Sequence, residues 1–529
     1  MNTKRVNPWA ALGALCLGLF MILLDTTIVS VAIPAMLTGL DAGLNAVVWV
    51  TSVYLLTFAV PMLLSSRLGD RFGPRQVFLA GLVVFTGASL WCGLSGTAEM
   101  LIAARAAQGL GAAMMTPQTL AFISHLFGPA QRGAAMGMWG GIAGLATITG
   151  PLLGGVLVDH LGWEWIFFVN VPIGLVAIVL TLALVPNWQP RHAHSFDLFG
   201  ILLSAAGLFC LVFGVQNGQQ YDWGVVTGSV TVFEIIGAGV LLLAGFVLWQ
   251  RFNRKEPLLP LRVFANHNFT AGTISSAVVG FALIAMNLPL MLYLQAVLGL
   301  SPTETGLLML PMSLLSAGVA PFAGLLSDRT NPKYLLMAGL VALAAGLGVL
   351  AAQAQTTTAP LAFVPAMLVI GLGVGCIFSP MGTVTMGSVS PELTGTASGI
   401  YNTARQIGGV FGSAVTGVLM QARVTASTTA EARHAAESLP PEYRTGFLEG
   451  IRDAAASNSE FGGAAATAPP GLPADVAAQF QRLGADVIHN GLTSAAKVTL
   501  LLPIAVLLAG AAFALTIRRH SPALTPTNP

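Results

Sequence analysis

The chain is written as apolar runs of about twenty residues that recur along almost all of its 529 positions. A run of that length, coiled as a helix, matches the hydrocarbon thickness of a bilayer. Inside hydrocarbon every backbone N–H and C=O must be satisfied within the protein. Fourteen runs can be counted, beginning near residues 9, 47, 76, 100, 134, 165, 198, 226, 270, 304, 335, 360, 395 and 496. They are continuous rather than alternating, which selects helices over a barrel. The expected fold class is an all-α integral membrane protein with 14 transmembrane helices. Composition closes off other classes. Charged residues are 8% of the chain, against about a quarter in soluble domains. Lys and Arg exceed Asp and Glu by only two, so there is no basic footprint for nucleic acid. Cys16, Cys92, Cys210 and Cys376 fall inside apolar runs with no metal spacing, and no metal or cofactor is implied.

The first run extends from about Pro8 to Met36 and carries Asp25. It is too long for the core of a cleaved signal and reads as the first span. Orientation follows from the basic residues. With the N-terminus in the cytoplasm, 15 of the 23 Lys and Arg fall on inner segments and none on the six short outer loops. Both termini are then cytoplasmic and the protein is multi-pass in the plasma (inner) membrane. A monomer is expected, with lipid as its surroundings.

Two inner segments repeat each other. Ser66-Arg67-Leu68-Gly69-Asp70-Arg71-Phe72-Gly73-Pro74-Arg75 aligns with Gly324-Leu325-Leu326-Ser327-Asp328-Arg329-Thr330-Asn331-Pro332-Lys333 at an offset of 258. Gly133 to Gly137 aligns with Gly395 to Gly399 at an offset of 262. Two coincidences at nearly one offset argue for duplication, mapping spans one to six onto nine to fourteen. The expected organisation is a six-helix bundle over 1–190 and two inserted helices with cytoplasmic linkers over 191–262. The first five helices of a second bundle follow over 263–420, then an outer segment over 421–495, and the last helix and tail over 496–529. Two pseudo-symmetric six-helix bundles with a site between them is a transporter architecture.

A few polar residues interrupt the spans. Asp25 lies about ten residues, roughly 15 Å, from the outer end of its helix. A carboxyl in a membrane is costly and functional by default. Burial favours its neutral form, so a proton or a cationic substrate can serve there; a purely structural carboxylate is the alternative. Arg105 sits in the outer half of the fourth span and needs a counter-charge or carbonyls, because it cannot deprotonate. Asp70, Arg71, Gly73 and Arg75 lie in a tight inner loop able to latch the inner mouth, with Asp328, Arg329 and Lys333 as a second copy; the bases could equally only enforce orientation. Gly150 and Pro151, followed by Gly154 and Gly155, interrupt the fifth span. Asn402, Arg405 and Gln406 interrupt the thirteenth, lining a cavity or bonding helices together. Glu234 reads as mid-span in the eighth, more a paired peripheral residue than a second acid. Trp49, Tyr54, Phe58, Phe281, Tyr293 and Phe378 are candidate cavity aromatics, though core packing accounts for each. His192 and His194 read as basic loop chemistry. In the outer segment, Tyr443, Phe447, Leu448 and Ile451, and then Val476, Phe480, Leu483 and Val487, predict two short amphipathic helices joined by a flexible link near 457–473.

Five stretches together resemble the major facilitator superfamily, and within it the fourteen-span drug:proton antiporters of the EmrB/QacA type. They are Leu24-Asp25-Thr26-Thr27-Ile28-Val29 to Pro34; Ser66 to Arg75; Arg105-Ala106-Ala107-Gln108-Gly109; Gly150-Pro151-Leu152-Leu153-Gly154-Gly155; and Trp163-Glu164-Trp165-Ile166-Phe167 to Pro172. Ser66 stands where Gly is usual and Glu164 where Arg is common. The resemblance implies proton-coupled efflux of hydrophobic, cationic small molecules by alternating access, with protons as the coupling ion. It also implies a coupling role at Arg105 and an antiport role for the Gly150–Gly155 stretch. Export of one metabolite, antibiotic or lipid is the alternative within the same architecture. A non-transporting receptor or a membrane transferase is more remote, the latter because the short loops supply no catalytic cluster.

Overall fold

A computed structural model describes residues 7–187, 197–253, 257–387, 389, 394–456 and 474–518, with some side chains inside helices left out. The first helices are α1 (Pro8–Val31), α2 (Ile33–Gly39), α3 (Leu44–Ala59), α4 (Met62–Phe72), α5 (Pro74–Gly93), α6 (Ala98–Leu126), α7 (Pro129–Leu161), α8 (Trp165–Phe168) and α9 (Asn170–Leu184). Then come α10 (Leu198–Asn217), a short hairpin of β1 (Val225–Thr227) and β2 (Val230–Thr231), and α11 (Val232–Phe252). The remainder is α12 (His267–Ala285), α13 (Asn287–Leu292), α14 (Pro302–Arg329), α15 (Pro332–Gln353), α16 (Val364–Gly375), α17 (Phe378–Met386), α18 (Thr394–Ala436), α19 (Pro441–Ala456) and α20 (Ala474–Ala514).

Among the described residues, eleven helices are long and apolar enough to cross a membrane, fewer than the fourteen runs of the sequence. Two of the other three runs have particular reasons to differ. Pro61 separates α3 from α4, leaving α3 only 16 residues long. In α6, Glu99, Arg105, Gln108 and Gln118 lower the hydropathy of an otherwise apolar 29-residue helix. The third, α7, is a 33-residue helix, several of whose side chains lie outside the described ones. Helix starts follow the expected chemistry: Asn7 caps α1 ahead of Pro8, and Thr97 caps α6 with Glu99 in its first turn.

Two sets of helices form by packing. One gathers α1, α3, α5, α6, α7 and α9, and the other α12, α14, α15, α16, α18 and α20. The sets meet along two seams, α7 against α14 and α3 against α18. The pair α10 and α11 covers the α3–α18 seam, where Asn217 Oδ1 accepts from Asn45 Nδ2 (2.7 Å) and Trp49 Nε1 (3.3 Å). This pair is peripheral: 17% of the apolar window of α11 is buried, against 67% for α1. Exposed Leu241, Phe252, Phe322 and Leu361 belong to a surface that suits lipid.

Asp197 ties the α10–α11 pair to the following linker. Its carboxylate accepts from Trp249 Nε1 (2.8 Å), Gln250 Nε2 (2.6 Å), Gly200 N (2.9 Å) and Leu258 N (3.4 Å). Burial pushes this carboxyl up, but those donors outweigh it and hold it below the ordinary range. A depressed value stabilises the fold above the unfolded-chain value and stops doing so as pH falls through the folded one. Asp197→Ala is expected to cost about 2–3 kcal/mol near neutrality, read as a lower melting temperature in detergent. The difference from wild type should narrow as pH falls below about 4, where the carboxylate's charge is lost.

The outer segment departs from expectation. In place of two separate short helices, α18 continues unbroken to Ala436 and α20 begins at Ala474, so both run past any bilayer. Among the described residues of this segment only α19 is a separate helix, and it carries the predicted Tyr443–Ile451 face. Phe447 and Ile451 pack with Ala432, Ala436, Leu439, Phe480 and Val487 in a small core. The expected link near 457–473 lies outside the described residues, as do His192 and His194.

Candidate functional site

Asp25 is fully buried on α1, facing α6, α5 and the start of α9 rather than lipid. Arg105 Nη1 donates to its Oδ2 at 2.6 Å, and both side chains are excluded from solvent. The other oxygen, Oδ1, accepts from Gln108 Nε2 (2.8 Å) and Asn170 Nδ2 (3.2 Å). Gln108 Oε1 accepts from the same Arg105 Nη1 at 2.6 Å, and Arg105 Nε donates to the Val50 carbonyl at 3.2 Å. Ser89 Oγ accepts from both Gln108 (3.2 Å) and Asn170 (3.1 Å) while donating to Phe167 O (2.9 Å). The Arg105 guanidinium lies 4.0 Å from the centre of the Tyr54 ring, a cation–π contact strengthened by dryness.

This cluster follows from helical spacing. Arg105 and Gln108 are three apart on α6 and share one face, while Ser89 comes from α5 and Asn170 opens α9. A buried ion pair repays its desolvation only with the remaining lone pairs and protons satisfied, and here the extra donors do that. Protonating Asp25 would remove the charge that holds Arg105, so one proton can rearrange the polar contacts of five helices, α1, α3, α5, α6 and α9. Arg105, which needed a counter-charge or carbonyls, has both in Asp25 and the Val50 carbonyl. Sequence reasoning missed Ser89, gave Gln108 and Asn170 no role, and ranked Tyr54 low; the three-residue spacing from Arg105 was the available signal for Gln108.

Thr26, next to Asp25, lines a cavity of about 30 Å³ between the two helix sets, with Ser30, Val48, Thr51, Asn287, Ser413 and Thr416 among its walls. That is room for one or two waters. Its surroundings are closed at the ends that the basic residues assign to the outer face. Asp159 Oδ2 accepts from Thr303 N at the start of α14 (2.8 Å), and Gln295 Nε2 donates to Val31 O (3.0 Å). Deeper in, Ser52 and Ser413 hydroxyls meet at 3.0 Å.

The fifth-span glycines are divided between two contacts. A Cβ on Gly150 would strike Thr27, and one on Gly154 would strike Ile28, both on α1. A Cβ on Gly155 would strike the backbone of Pro302, and Gly306 lies likewise against Pro151 O. The motif therefore packs α7 inside its own set and also across the seam.

The supposed inner loop is nearly all helix. Asp70 and Arg71 stand in the last turn of α4, and Gly73 alone turns the chain into α5, at φ 96°, where glycine is favoured. At the second copy Asn331 has φ −77° and caps α15 by accepting from Lys333 N, so no glycine is needed. Arg75 donates to Leu182 O near the end of α9, and Lys333 Nζ to Leu515 O (2.7 Å) just after α20. Both repeats thus use their last base to cap carbonyls of the final helix in the same set. Arg71 lies beside the Phe72 ring and Arg329 is exposed; the side chains of Asp70 and Asp328 lie outside the described residues.

Glu234 is not mid-span. It is exposed at the N-terminus of α11, closing a capping box with Thr231, because the helix starts six residues later than the apolar run. Asn402 donates to Ser398 O within its own helix, and Gln406 is half-buried. Arg405 makes no hydrogen bond or ion pair with any described residue and lies 5.9 Å from the Phe378 ring. Of the other aromatics, Phe58 packs on Tyr54 and Tyr293 donates to Gln355 O.

A family model of the Major Facilitator Superfamily matches residues 15–413. The chain belongs to the major facilitator superfamily. As a superfamily member it is a multi-pass membrane transporter and not an enzyme. An uncharacterized MFS-type transporter of Mycobacterium tuberculosis is 45% identical to this transporter, over 79% of this chain and 72% of its own. The tetracenomycin C resistance and export protein of Streptomyces glaucescens is 34% identical over 98% of this chain and 93% of its own. The multidrug resistance protein Stp of M. tuberculosis is 36% identical over 88% and 84%. These relatives agree with the EmrB/QacA type suggested by the five stretches. Among solved structures, a bacterial homolog of the human lysosomal transporter Spinster, inward-facing and unoccupied, matches with a TM-score of 0.60 at 16% identity, over 99% of this chain and all of that one. That likeness concerns the fold.

Proposed function

We propose that this superfamily member exports hydrophobic small molecules, antibiotics among them, in exchange for protons. Fourteen spans divide into two six-helix halves and an inserted pair, the termini are cytoplasmic, and the halves rock about the α7–α14 and α3–α18 seams. The observation that carries the reading is the Asp25–Arg105–Gln108–Asn170 cluster: a dry, fully bonded acid one residue from the cavity between the halves. Protonation from one side would free Arg105 and loosen α1 from α6, and deprotonation would restore the closed network. The drug and antibiotic resistance relatives support export as the direction.

The expected preference for cations loses support. Among the described spans Asp25 is the deep acid, and Arg105 already answers it. A second reading, export dedicated to one compound, is favoured by the near full-length match to the tetracenomycin C export protein. The test is flux in reconstituted vesicles carrying an imposed pH gradient, with a panel of antibiotics and dyes. Expected is uptake against the concentration gradient that stops on adding a protonophore. Indifference to the pH gradient would reject proton coupling, and a single responsive compound would select the dedicated exporter.

A further inference from the structure

Among the described residues, the spans carry one deep charge, Arg405, with no hydrogen-bond or ion-pair partner. Arg405 lies about eleven residues, roughly 16 Å, from the inner start of α18, far below either surface. Its backbone crowds Gly280 of α12, and its side chain crosses that glycine towards the Phe378 ring on α17. Gly412, seven residues on, shares its face within about 20° and rests on Phe281 of α12. Gly409, about 40° away, sits between Ile284 of α12 and Leu55 of α3. Thr416, eleven residues on and again on that face, lines the cavity. Arg405 therefore packs on α12 and α17 of its own half, one to three turns along α18 from Gly409 at the α3 seam and Thr416 in the cavity wall, and it is half-buried rather than sealed.

Among the described residues the charges deep in the spans are Asp25, Arg105 and Arg405. The first two cancel, so the path between the halves holds a net positive charge in its second half. A guanidinium in hydrocarbon without a counter-charge costs several kcal/mol. It has a fork of donors and an aromatic plane beside it, which suit a planar oxygen anion.

Resting on the export reading above, the geometry points to Arg405 as the substrate-recognition residue of the second half, and to hydrophobic molecules bearing an anionic oxygen, a phenolate or carboxylate on a planar ring system, as the preferred cargo. Such a molecule supplies the missing counter-charge and stacks beside Phe378. Its departure leaves Arg405 again exposed to the crevice, which favours loading of the next anion over a cation. Neighbouring Gln406 and Asn402 add amide groups on adjacent faces without changing the sign.

Two dyes of one shape separate charge from size: fluorescein, an anionic xanthene, and rhodamine 6G, a cationic one. Binding to the full-length protein in detergent is read by fluorescence anisotropy at neutral pH. Wild type is expected to bind fluorescein at least about tenfold more tightly than rhodamine 6G, as one charge-assisted hydrogen-bonded contact implies. Arg405→Gln should lose that preference, and Arg405→Lys should keep most of it, which separates lost charge from lost folding. Tighter binding of the cation, equal loss in both arginine variants, no binding of either dye, or unchanged fluorescein affinity in Arg405→Gln overturns the assignment. Failure of proton coupling would show elsewhere, in the flux assay, and leaves this comparison readable.

Discussion

Asp25→Asn is expected to reduce pH-driven export to the level of empty vesicles while the protein still reaches the membrane. The asparagine keeps the shape and can meet one donor, but it no longer exchanges a proton or carries charge. It also strands Arg105, which in the native protein is buried against Asp25 Oδ2 and Gln108 Oε1. Breaking one side of a buried pair costs about 3–5 kcal/mol, so lost export could reflect lost folding. A double variant, Asp25→Asn with Arg105→Gln, answers this by removing both charges. It should recover most of the melting temperature and none of the pH-driven export. Substrate-induced proton release from the purified protein should be absent in both. Export by the double variant at wild-type rates would remove Asp25 from the coupling step.

The Asp25 cluster also shows how far a sequence can be read. The acid and the arginine were visible as charges in apolar runs, since hydrocarbon makes each one conspicuous. Their pairing was a fair guess from depth. Ser89 and Asn170 were not visible, because uncharged polar residues are common in membrane helices and nothing in their own segments points to Asp25. Five helices meet there, α1, α3, α5, α6 and α9, and only tertiary packing brings them together. The duplication was legible from Asp70-Arg71 and Asp328-Arg329, yet its two copies turn differently, at Gly73 with positive φ and at Asn331 without. Glu234 misled for a simpler reason. A hydrophobic run does not mark where a helix begins, and the capping box with Thr231 does. The outer helices misled in the opposite sense, since the alanine-rich continuation of α18 keeps a helix going after the hydrophobic signal ends.

The glycines of α7 give the second large effect, and a contrast that tests the two-seam arrangement. Gly155→Leu places a side chain against the Pro302 backbone across the α7–α14 seam. Backbone cannot give way as a flexible side chain can, and overpacking of this kind costs about 1–3 kcal/mol or more. The nearby outer contacts, Asp159 to Thr303 N and Gln295 to Val31 O, would be pried apart with it. The folded protein should then stay open on the outer side, with export below about a tenth of wild type, since a block of one to two kcal/mol is already worth a factor of ten. Ser30 lines the cavity beneath that seal. A Ser30→Cys probe in a background lacking Cys16, Cys92, Cys210 and Cys376 should be protected from an impermeant maleimide with Gly155 present and labelled with leucine there. Gly150→Leu should fail differently. Its new side chain meets Thr27 of α1 inside a single helix set, two residues from Asp25, so it should lower the melting temperature without exposing Ser30→Cys. Equal labelling in the two variants would mean that the five-position step between these glycines does not separate packing within a half from closure between halves, and the α7–α14 seam would lose its role as the moving surface.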